Sequence, residues 1–184
     1  MLARIHTDHA HISTLLSVLS GKVQRLKDGQ EVNLTLVRDV VDYLQRYADH
    51  SHHPMEDILY QYYLDKVGDT SQGEVHKLAQ EHHKLQQATD QLFDTLTMIL
   101  NDAVVPRERL IADIEAFVVM QRTHLEQEEL RVLPLLERSL DEKDWEQIHR
   151  LVASKLVDDP LFGETGDREF EDLRTYLMDA ESGQ

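Results

Sequence analysis

The stretch His52-His53-Pro54-Met55-Glu56-Asp57 sets His52 and Glu56 four residues apart. On a helix they stand one above the other on a single face. His124-Leu125-Glu126-Gln127-Glu128-Glu129 repeats the spacing with His124 and Glu128. Around both pairs apolar residues recur every three or four positions. Leu34, Val37, Val41, Leu44, Ala48, His52, Met55 and Leu59 make one seam; Leu110, Ile114, Phe117, Gln121, His124, Glu128 and Val132 lie along or beside another. Two more seams run through residues 2–26 and 75–99, and each holds one histidine, His9 and His82. No useful stretch alternates as a strand does. The pattern predicts an all-α protein: an up-down-up-down four-helix bundle over 1-140. Two short extra C-terminal helices, around Trp145 and Phe170, are expected to form a helical extension over 141-184 packed on the bundle. Pro54 lacks an N–H and crowds the carbonyl of His50, so a kink is expected at the first pair. Pro134 is expected to kink or end the fourth helix.

The 184 residues carry a formal net charge of -16, which repels phosphates and anionic lipid headgroups and disfavours nucleic acid and membrane partners. There is no cysteine, which excludes disulfides, thiolate metal sites and cysteine nucleophiles. No apolar run approaches membrane length and no leader-like segment opens the chain, so a cytoplasmic protein is expected, a monomer or weak homodimer. Eleven histidines are many for this length, and they fall in separated groups rather than one tract.

The two halves resemble each other. Asp8-His9 parallels Glu81-His82, and each is followed by a His-x-x-x-Glu pair. A pseudo-twofold bundle would bring the four elements to one level. Four inward imidazoles and two carboxylates are too many for one tetrahedral ion and suit two metals, with His9, His52, His82 and His124 as terminal ligands and Glu56 and Glu128 as bridges. An oxo or hydroxo bridge would complete five ligands on each ion, leaving a position for dioxygen, nitric oxide or peroxide. Sulfur-free imidazole and carboxylate donors favour iron (Fe2+/Fe3+) over manganese or zinc. His53 rivals His52 because it pairs with Asp57 at the same spacing, but it lies about 100° off the seam, and His52 is preferred. Asp8 and Glu81 are either acceptors for a ligand imidazole N–H or solvated flanking residues. Tyr60 either hydrogen-bonds within the site or sits at its rim. His6, His11, His50, His76, His83 and His149 are expected on the surface.

The order His, His-x-x-x-Glu, His, His-x-x-x-Glu resembles the hemerythrin-like HHE cation-binding domain, over roughly residues 2–140. The resemblance implies a four-helix bundle with a non-haem di-iron centre. The oxygen carriers of that family have a further histidine where Gln86 stands here, and an aspartate five residues after the last histidine, where this chain has Glu128 four after. These departures point away from simple oxygen carriage and towards the ligand pattern of di-iron proteins of nitrosative-stress repair. Three functions follow: a di-iron protein that binds or reduces a small oxidant or diatomic gas, a non-catalytic gas or redox sensor or iron buffer, or a structural module whose histidines are incidental.

Overall fold

The computed structural model describes residues 1–68, 73–163 and 168–182. Four helical rods organise it. The first is α1 (Leu2–Lys27). The second runs without interruption through α2 (Leu34–Tyr43), a π-helical segment (Leu44–His52) and α3 (His53–Val67). The third is α4 (Glu74–Leu100). The fourth joins α5 (Arg107–Gln127), a second π-helical segment (Glu128–Val132) and α6 (Leu133–Ser139). Then come α7 (Glu142–Val152), a short 3-10 turn (Arg168–Phe170) and α8 (Glu171–Ser182). The described residues contain no strand. Local signals set several ends: the Asn33 side chain accepts the Leu36 N–H at 3.2 Å, and Asp141 and Asp144 cap each other's backbone N–H at the start of α7.

Neither proline ends its rod: helix continues past Pro54 to Val67 and past Pro134 to Ser139. Each π segment ends just before a proline, and the α-helix restarts with Pro54 or Pro134 in its first turn. The wider i→i+5 turn upstream absorbs the misfit that a continuous α-helix would take as a break. Both rods therefore pass through their prolines unbroken.

The apolar core is split into two blocks. One contains Ile12, Leu16, Val41, Leu44, Leu92, Ile114 and Phe117; the other contains Ile5, Met55, Leu59, Leu78, Val132 and Leu136. Between them every rod carries polar side chains at one level: His9 between Ile5 and Ile12, His52 between Ala48 and Met55, His82 between Leu78 and Ala88, Glu128 between Leu125 and Val132. The C-terminal helices are built into both blocks. Phe170, Leu173 and Leu177 join the first block, Ile148 and Val152 the second. Among the described residues no helix is long and apolar enough to cross a membrane.

Candidate metal centre

The middle polar layer gathers side chains from all four rods. α1 supplies His9, the first π segment His52, α3 His53 and Glu56, α4 His82, α5 His124, and the second π segment opens with Glu128. All seven are buried, and both glutamates are wholly shielded from solvent. The six residues singled out from the sequence thus converge. Glu56 Oε1 lies 3.3 Å from His9 Nε2 and 3.4 Å from His52 Nε2, while its Oε2 lies 3.5 Å from His82 Nε2. Glu128 mirrors it: Oε2 is 3.4 Å from His9 Nε2, and Oε1 is 3.4 Å from His82 Nε2 and 3.2 Å from His124 Nε2.

His53, set aside on helical phase, also faces inward. Its ring stacks on His82 at 4.5 Å and meets His124 edge-on at 5.8 Å. In the π segment that precedes it each residue turns less than 100° about the axis, so the α-helical seam drifts and His53 comes in beside His52. The potential donors accordingly fall into two groups whose atoms lie within 4.8 Å of one another: His53, Glu56, His82 and His124, and His9, His52 and Glu56. Glu56 belongs to both. The centre is therefore less symmetric than the sequence repeat, since His53 has Leu125 as its counterpart in the second half.

Every one of the five imidazoles turns Nδ1 outward to a carboxylate and Nε2 inward. His52 donates to Asp8 (3.1 Å), His53 to Asp49 (3.1 Å), His82 to Asp57 (2.7 Å), His124 to Glu81 (3.4 Å) and His9 to Glu129 (2.6 Å). Asp49 apart, each acceptor sits on a different rod from its imidazole, and the pattern closes on itself: the first rod holds the second, the second the third, the third the fourth, the fourth the first. Such partners fix the tautomer and raise the basicity of the inward nitrogen. Asp8 and Glu81 are thus hydrogen-bonded partners rather than solvated flanks. Asp57, expected beside His53, pairs with His82 instead, and Glu129 and Asp49 complete the set of acceptors. The signal for the first two was present, because an acid directly follows Glu56 and Glu128 in both halves. Tyr60 also belongs to the site, donating its hydroxyl to Glu128 Oε1 at 2.6 Å. His11 is not simply at the surface, since it lies against Phe162 at 3.9 Å.

The residues fit a metal. His52 Nε2, His124 Nε2, Glu56 Oε2 and Glu128 Oε2 are buried without a hydrogen-bond partner, and all four belong to this cluster. Buried polar atoms left so are costly, and cations held by the two donor groups would satisfy them. The charge balance agrees. Burial opposes a charge on His9, but hydrogen bonding to Glu56 and the carboxylates of Glu56 and Glu128 raise it to about 9. Burial likewise opposes the charge on His82, and hydrogen bonds to Asp57 and Glu128 lift it to about 10. His53 is driven well below its ordinary value by burial and then by the imidazoles of His82, His52 and His124. Burial acts to raise the Glu128 carboxyl, but His124 and His82 hold it well below the carboxylate range. Protons stand in for the cations that the two buried glutamates call for. A cleft of about 240 Å³ between α4 and α5, lined by Glu81, Lys84, Leu85, Met120, Thr123 and His124, reaches the edge of the cluster from solvent.

A family model described as the Hemerythrin HHE cation binding domain matches residues 1–136. No curated protein and no solved structure matches the chain.

Proposed function

The chain belongs to the hemerythrin HHE cation-binding domain family, and on that premise we propose that it is a non-haem di-iron protein that binds or reduces a small oxidant or diatomic gas. One observation carries the dinuclear reading: Glu56 and Glu128 each present one oxygen towards His9 and the other towards His82. His9 and His52 would hold one cation, His53, His82 and His124 the other, and the two glutamates both. Iron, when bound, supplies a reversible Fe2+/Fe3+ couple and exchangeable positions for a small ligand. The side with two imidazoles has fewer protein donors, so dioxygen, nitric oxide or peroxide would be taken up beside His9 and His52. The chain's own groups set the surroundings. Tyr60 pins one oxygen of Glu128, and burial keeps its phenol protonated by raising it well above its ordinary value. The apolar blocks above and below exclude bulk water. Short connections between the rods support an up-down-up-down order.

Protein made in iron-supplemented cells is expected to carry about two irons per chain and to show charge-transfer absorption after aerobic oxidation. Protein without iron would overturn the proposal. The other reading, a non-catalytic gas or redox sensor or iron buffer, is favoured by the hydrogen bonds that run from His52 towards the C-terminal turn. Turnover of peroxide or nitric oxide in excess supports catalysis, and binding without turnover supports the sensor or buffer.

A pH dependence follows from His9 and His82. With values raised to about 9 and about 10, both hold a proton at pH 7 in the metal-free protein, and a cation must displace it. Apparent metal affinity is therefore expected to rise with pH from 7 towards 10, and loading at pH 7 to release protons. Calorimetric titration in buffers of different ionisation enthalpy checks this; heats independent of the buffer would refute it.

A further inference from the structure

Residues 155–162 lie beyond the span that the family model matches, yet hydrogen bonds tie them to the metal centre. The Arg4 guanidinium donates from Nη2 to the Val157 carbonyl and to the Tyr47 hydroxyl at 3.2 Å. Tyr47 donates in turn to Asp8 Oδ1 at 3.0 Å, and Asp8 Oδ2 accepts the Nδ1–H of His52 at 3.1 Å. The turn itself is firmly held. Asp159 Oδ1 accepts the N–H groups of Leu161 and Phe162 at 2.9 and 2.8 Å, and its Oδ2 accepts from the Tyr43 hydroxyl at 2.9 Å and His11 at 3.2 Å. Phe162 lies flat on His11, and Ser51 donates to the Lys155 carbonyl at 2.8 Å.

We propose that this turn is a working part of the centre: through Arg4, Tyr47 and Asp8 it positions His52, and so sets how tightly the two-imidazole side holds its cation. The inference rests on the di-iron reading. Asp8 and Tyr47 are buried, so no water replaces a lost link. Without the Tyr47 hydroxyl, Asp8 Oδ1 loses its donor and the Arg4 guanidinium, 3.9 Å from Oδ2, is left as its remaining cationic partner, so the carboxylate and the imidazole it aims are held less firmly. The effect is confined to one side. His82 and His124, on the other side, are aimed by Asp57 and Glu81. Tyr47, Arg4 and Asp159 are positioning residues here, since none reaches the inward nitrogens.

The test is chelator-driven release of ferrous iron from the full chain, followed optically, for wild type, Tyr47→Phe, Asp159→Ala and the double variant. One of the two irons is expected to leave on the order of 10-fold faster in each single variant, with the other unchanged. The double variant is expected to release it no faster than the quicker single variant, because both changes cut the same chain. Glu81→Ala, which removes the acceptor of the His124 Nδ1–H, should instead speed the other iron. Tyr47→Phe removes only a hydroxyl and carries the test alone if Asp159→Ala does not fold. Release at the wild-type rate, or equal acceleration of both irons, overturns the inference. Wild type holding fewer than two irons overturns the di-iron reading and this inference with it. Two irons in wild type with variants that release them normally overturns the inference alone.

Discussion

Glu56→Gln is expected to leave the chain without either iron, rather than with one. Glu56 is the residue common to both donor groups, and its two oxygens point in opposite directions, Oε1 to His9 and His52, Oε2 to His82. An amide keeps the volume but offers one oxygen and no charge. Each cation therefore loses an anionic donor, and retention at both positions should weaken by more than about 100-fold, beyond what loss of an outer partner produces. The contrast is His53→Leu, which takes a donor from one group only. Iron content and the circular dichroism of the purified variants decide it. A folded Glu56→Gln protein that still carries two irons would show that Glu56 does not bridge.

The second large effect is on stability. Metal-free protein is expected to melt well below loaded protein, because a cation that binds only the folded state adds its binding free energy to folding. Free metal at a thousand times the dissociation constant adds about 4 kcal/mol. For a chain of this size each kcal/mol moves the midpoint by about 2–4 °C, so a difference of about 8–16 °C is expected for each cation bound. The unpartnered atoms of His52, His124, Glu56 and Glu128 are where that energy resides. Thermal unfolding of chelated and loaded samples measures it. Coincident midpoints would mean that the layer is a satisfied polar core and that its histidines are incidental.

Much of this architecture was legible because helical period and ligand spacing reinforce each other. His9 and His82 stood in apolar seams, and the His-x-x-x-Glu spacing fixed a shared face for His52 with Glu56 and for His124 with Glu128. What escaped was phase. A rotation of 100° per residue assigns His53 to the wrong face, because nothing in the local pattern announces nine residues of π-helix from Leu44 to His52. Pro54 and Pro134 mark the places where helix geometry changes, but nothing in their neighbourhood tells that the change is a π-helical segment upstream of each. The outer carboxylates were half legible. Asp8 and Glu81 drew notice from their place before a seam histidine, but Asp57 and Glu129 reach across to a neighbouring rod, and cross-rod pairing has no sequence spacing. The tie between residues 155–162 and His52 spans more than a hundred positions and becomes visible only once the chain is folded.

The polar layer between the two apolar blocks also bears on how metal gets in. A polar layer with four unpartnered buried atoms, set between two apolar halves, is the level at which opening the bundle sacrifices least packing. In the metal-free chain the halves on either side should breathe separately, with amide exchange fastest along that plane in all four rods. Bound cations act as rivets through it, and exchange on both sides should then slow to a common rate. Uptake on this account is limited by how often the plane opens, so the loading rate should level off as the metal concentration rises.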